Sequence, residues 1–171
     1  MTIRTVVTPP NKTLRERARN VQSFGPETET LIEDMIETMR ASQGVGLAAP
    51  QIDVGQRVIV IEYAEDSEES EEPVPPTLYA VVNPEVTRHS SSKVNGTEAC
   101  LSLPGYYGDV ERFETVTVKG LTRNGQPFKK KARGWLARIF QHEIDHLDGV
   151  LYIDRASQIW RAETEDVPDL V

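Results

Sequence analysis

Gln141-His142-Glu143-Ile144-Asp145-His146 sets two histidines four residues apart within a stretch of helical periodicity. On a helix such residues share a face, so both imidazoles can grip one metal ion. At about 100° per residue, with His142 at zero, Ile139, Leu136, Leu147, Phe140 and Ile144 fall near about 60°, 120°, 140°, 160° and 200°. The histidines therefore border an apolar stripe. Glu143 falls near about 100°, inside that stripe, where a carboxylate is costly unless something compensates it. Beside a metal-bound water it has a purpose, because it can take the water's proton as a general base. Asp145 falls near about −60°, beside Arg138 on the more polar side. The bland reading is a surface helix with a chance H-E-x-x-H. Against it, the chain has 3 histidines and two of them are here.

Working outward, this helix should run over about 134–148, with Gly149 as its stop. Residues 115–121 alternate like a strand, Arg123-Asn124-Gly125-Gln126 is a turn, and 127–132 should return as a hairpin. A first helix is expected over 25–43: Pro26 suits its first position, Glu27 and Glu29 suit its positive end, and Leu31, Ile32, Met35, Ile36 and Met39 form its apolar face. Residues 57–63 and 78–83 read as strands, the second ended by Pro84. The order of elements predicts an α+β fold, with small antiparallel or mixed sheets packed around a central helix that carries the H-E-x-x-H motif. We expect a single catalytic domain over 1–171, with an exposed acidic, proline-rich loop at 62–76 and a loose polar tail at 156–171.

The net charge of −8 has a local origin. Seven acids between Glu62 and Glu72 account for most of it, and without them the remaining 20 acids nearly balance 19 bases. No basic cluster suited to nucleic acid stands out, and no apolar run approaches membrane-spanning length. DNA and membrane are therefore not expected partners. The single cysteine, Cys100, can form no intramolecular disulfide, which fits a reducing compartment.

Two histidines need a third ligand. Glu163 and Glu165 lie downstream in the polar tail; upstream lies Glu98-Ala99-Cys100-Leu101-Ser102-Leu103-Pro104. A thiolate is the better zinc or ferrous ligand, and Cys with two His leaves one position for water.

Three segments together resemble the peptide deformylase family: Gly44-Val45-Gly46-Leu47-Ala48-Ala49-Pro50-Gln51, Glu98-Ala99-Cys100-Leu101-Ser102, and 141–146; residues 104–112 and 120–127 resemble its plastid-like and bacterial branch. The three segments occur in that family's order, and the likeness covers most of residues 1–155. The resemblance implies Cys100, His142 and His146 as metal ligands and Glu143 as general base. It makes Gln51 (side-chain amide) and Leu101 (backbone N–H) the donors to the developing oxyanion. Gly46 would offer backbone hydrogen bonds to an extended peptide, and Val45, Leu47 and Ile139 would flank the methionine side chain, although Ile139 is at least as well explained as core. Glu98 and Asp145 would orient ligands, Asp145 by pairing with Arg112. The activity implied is hydrolysis of the N-formyl group from formylmethionyl nascent chains during protein biosynthesis. The family association implies one Fe²⁺, with Zn²⁺ or Ni²⁺ as substitutes in purified protein. The cytoplasm is the implied location, and the ribosome, where such substrates emerge, is a further implied partner. Ala99 stands where the family usually has glycine, which would strain the backbone if that position needs positive φ. Two competing readings are a zincin-type protease with a different third ligand and a metal-binding protein without activity.

Overall fold

The computed structural model describes residues 1–65 and 72–163. The acidic stretch 66–71 and the tail 164–171, including Glu165, lie outside the described residues.

Two helices form where the apolar periodicity puts them. Helix α1 spans Pro26–Ala41, with proline at its start and Glu27 and Glu29 in its first turn. Leu31, Ile32, Met35, Ile36 and Met39 are all buried on one side of it. Helix α2 spans Gly134–Leu147 and carries His142, Glu143 and His146. Gly149 follows it with φ 73, and a Cβ there would stand 2.5 Å from the Arg15 carbonyl oxygen, so the stop is fixed by close chain approach as well as by backbone angle.

Eight strands and three short 3-10 helices (Lys12–Arg15, Ala49–Ile52 and Tyr152–Asp154) complete the described chain; the strands are β1 Gly46–Ala48, β2 Val58–Tyr63, β3 Thr77–His89, β4 Lys93–Cys100, β5 Leu103–Phe113, β6 Thr115–Leu121, β7 Pro127–Arg133 and β8 Gln158–Arg161. One sheet has the order β1-β2-β3-β6-β7 and the other β4-β5-β8, with every pairing antiparallel.

Strand β2 shows how the layers are built. Val58 and Val60 pack with the α1 residues, while Ile59 and Ile61 pack with Leu136, Phe140 and Leu147 of α2. Successive side chains point to opposite faces, so a sheet covered by a helix on each side needs an unbroken apolar run. Full burial of each such side chain contributes about 1.5–3 kcal/mol.

Two expectations are corrected, and one element was not foreseen. Strand β3 does not end at Pro84 but runs on to His89. Its register slips by one residue between Val82 and Glu85, and Asn83 sits at φ 50 with its side chain bonded to both Val21 N (2.8 Å) and Val21 O (3.0 Å). A proline without an N–H is tolerated at such a bulge. The tail is not loose throughout, because Gln158–Arg161 form β8 on the edge of β5. Finally, the β4–β5 hairpin has no counterpart in the periodicity analysis. Most of β4 is exposed, so little apolar alternation marks it.

Candidate active site

The site forms where the β4–β5 turn meets α2. Cys100 ends β4, and its register partner is Leu103 at the start of β5. Leu101 and Ser102 make the turn between them. The slip in register beside Cys100 brings its thiol to α2, 3.3 Å from His146 Nε2. One ligand atom each from Cys100, His142 and His146 lies within 4.8 Å of the others, and all three residues are buried. Glu163, by contrast, is exposed and outside this cluster.

His142 is oriented from behind. Its Nδ1 lies 2.8 Å from Glu98 Oε1. A carboxylate only accepts, so Nδ1 carries a proton, and Nε2 is the ring atom whose lone pair serves a ligand when the imidazole is neutral. Glu98 also accepts from Arg112 Nε and Nη2 (2.9 Å each) and Arg138 Nη1 (2.7 Å). Burial alone would raise the Glu98 carboxyl, but the Arg112 and His142 hydrogen bonds outweigh it and hold the group well below the usual carboxylate range. Arg112 reaches on to Asp145 at 2.6 Å, which in turn binds Arg155 at 2.7 Å. Removing one member of such a buried ionic network typically costs about 3–5 kcal/mol, because its partners are left as uncompensated charges.

Glu143 has the opposite environment. Its Oε2 is buried with no hydrogen-bond partner among the described residues, and burial pushes the carboxyl up to about 7. Gly46 makes room for it: a Cβ there would stand 2.5 Å from Glu143 Oε1 and 2.9 Å from its Cδ. Gln51 is pinned by its own oxygen, which accepts from Ala48 N at 2.9 Å. Its Nε2 is thereby aimed at Cys100 Sγ (3.4 Å) and Ser102 Oγ (3.2 Å).

Cys100, His142, Glu143, Gly46 and Gln51 line a cleft of about 410 Å³ together with Val45, Leu101, Tyr107, Trp135 and Ile139. A larger polar cavity of about 710 Å³, lined by Arg57, Arg112 and Asp145, is not lined by Cys100, His142 or His146.

A family model for polypeptide deformylase matches residues 3–162. The chain belongs to the peptide deformylase family. It is accordingly an enzyme of the peptide deformylase kind. A peptide deformylase of Symbiobacterium thermophilum is 45% identical over 97% of this chain and 72% of its own length. Among solved structures, the Ehrlichia chaffeensis peptide deformylase in complex with actinonin superposes with a TM-score of 0.83 at 39% identity, covering 92% of this chain and 91% of that one. A Legionella pneumophila peptide deformylase gives 0.80 at 42% identity over 91% and 87%.

Within this deformylase fold, the residues singled out from sequence do not all meet. Cys100, His142, His146, Glu143, Gln51, Gly46, Val45 and Leu101 converge on the cleft or its ligand cluster. Leu47 does not. It is fully buried against Met35 and Met39 in the α1 core, because in β1 it points to the face opposite Gly46 and Ala48. Ile139 serves both as core and as cleft wall. Ala99 does not have positive φ and its side chain is exposed, so its methyl group carries no backbone strain.

Three contributors were not legible as such. Arg138 binds Glu98, Ser102 accepts from Gln51, and Tyr152 lies across the His142 ring at 5.9 Å. Two of them had a signal: Arg138 stands four residues before His142 on the same helical face, and Ser102 closes the Glu98–Ser102 motif.

Proposed function

We propose that the chain, working as one catalytic domain, removes the N-formyl group from formylmethionyl peptides. The observation that carries this is the clustering of the Cys100, His142 and His146 donor atoms at a cleft lined by Glu143, whose carboxylate oxygen Oε2 has no partner among the described residues.

The donor set suits a divalent ion. One soft thiolate and two imidazoles fit Fe²⁺, Zn²⁺ or Ni²⁺, and the Glu98 contact fixes the tautomer of His142 that a ligand needs. When bound, such an ion polarises the carbonyl and makes water acidic at neutral pH. Glu143 takes the proton of the attacking water and returns one to the leaving amine. Gln51 Nε2, with the Leu101 N–H, donates to the oxygen on which negative charge grows. Gly46 contributes backbone hydrogen bonds to the extended peptide, and Val45 and Ile139 flank the first side chain. Asp145 and Arg112 act through Glu98 on His142. We read α2 as the metal-bearing helix around which the sheets pack, iron as the working metal, and nascent chains at the ribosome in the cytoplasm as the substrate. No described helix is long and apolar enough to cross a membrane.

The test is turnover of a formyl-Met peptide beside casein, with metal analysis on the same sample. Formate release with casein untouched is expected; casein cleavage without formate release would favour the protease reading. In the same assay Cys100→Ser should lose most of its metal, because a hydroxyl ligates poorly at neutral pH. Full metal content in that variant would send the search to another third ligand.

Gly46→Ala tests the placement of the base. The added methyl group must displace Glu143, and a displacement of about 1 Å in such a group costs up to about a hundredfold. We expect kcat to fall about ten- to a hundredfold with metal content unchanged. Unchanged kcat would mean that the carboxylate position is not critical.

A further inference from the structure

Strand β8 adds an aromatic group beside the cleft that the proposed reaction does not use. Trp160 is the register partner of Tyr107, so the two side chains share one face of the β4-β5-β8 sheet. Their rings stack with centroids 6.3 Å apart and planes 20° from parallel. Both remain over a third exposed, at 38% for Tyr107 and 39% for Trp160. Tyr107 also lines the cleft, as do Val45 (46% exposed) and Trp135 (44%). Large exposed apolar groups gathered at one mouth mark a surface that meets a partner.

We infer that Tyr107 and Trp160 form a shelf that receives an apolar side chain of the peptide about four residues beyond its formylated end. This deepens the deformylase reading and rests on it. Continuity with the cleft selects the occupant, because the shelf begins with a residue of the cleft wall. The spacing selects the peptide position. Cys100 pairs with Leu103, and Tyr107 lies four residues further along β5, about 13 Å at roughly 3.3 Å per residue. An extended peptide leaving the ligand cluster along β5 covers that distance with the same number of residues. Chemistry selects the side chain. Two stacked rings offer apolar faces, and Asp109, two residues beyond Tyr107 on the same strand, repels an acidic group.

The test compares the metal-loaded chain on formyl-Met-Ala, formyl-Met-Ala-Ala-Leu and formyl-Met-Ala-Ala-Asp. The leucine peptide should show the lowest KM. Trp160→Ala should raise KM for the leucine peptide about three- to tenfold more than for formyl-Met-Ala, and Trp160→Phe should recover most of that difference. A shift of the same factor on both, as from a general loosening of β8, overturns the shelf, and so does no shift on either. If wild-type protein turns over none of the three peptides, the deformylase reading falls first and the shelf with it.

Discussion

Glu143→Ala should lower kcat on a formyl-Met peptide by about a hundred- to ten-thousandfold, the range that a positioned general base supplies. Metal content should remain near that of the wild type, because Glu143 is not part of the Cys100, His142 and His146 cluster. The two measurements together separate a base from a ligand: His142→Ala should lose metal and activity alike. Glu143→Gln adds a third reading. Glu143 Oε2 is buried without a partner among the described residues, an arrangement that costs stability in the folded chain. Replacing the carboxylate with a neutral amide of the same shape should therefore leave Tm unchanged or raise it while activity is lost. A marked fall in Tm for Glu143→Gln would show that the carboxylate is a structural partner, and metal loss equal to that of His142→Ala would make it a ligand.

Gln51→Leu should depress kcat about a hundred- to a thousandfold, the loss that follows removal of one oxyanion donor, with a much smaller change in KM. The structure adds a second consequence. Gln51 Oε1 accepts the buried Ala48 N–H, which leucine cannot satisfy. An orphaned buried donor costs about 1–3 kcal/mol, so Tm should fall as well. Kinetics must therefore be measured well below the variant's own Tm and with metal content verified. Under those conditions a near-normal kcat would remove the oxyanion role and leave Gln51 as a structural brace for the β1 segment.

The helices and the His142–His146 pair were legible for the same reason. Helical geometry is local, so the spacing of Leu31 to Met39 and of His142 to His146 fixes which side chains share a face whatever else the chain does. The wheel also placed Glu143 inside the buried arc, and it is buried there. Sheet organisation is a different matter. Val45 and Leu47 look alike in sequence, but Leu47 lies within β1 and fills the core beneath α1, whereas Val45 precedes the strand, stays 46% exposed and lines the cleft. Pro84 reads locally as a strand end, yet the neighbouring strands and the Asn83 contacts with Val21 carry β3 past it.

The sequence by itself determined the two helices, the most apolar strands and the residue types of the Cys100, His142 and His146 donor cluster, since these rest on periodicity and on donor chemistry. Tertiary structure alone decided how those groups are held. Glu98, Arg112, Arg138 and His142 come from three elements spread over 44 residues, and only the packing of the β4–β5 hairpin on α2 brings their charges within hydrogen-bond reach. The Tyr107–Trp160 pair likewise exists only because Gln158–Arg161 dock on the β5 edge. Pairing between distant segments depends on the whole chain's burial of apolar surface, and no short window of sequence encodes it.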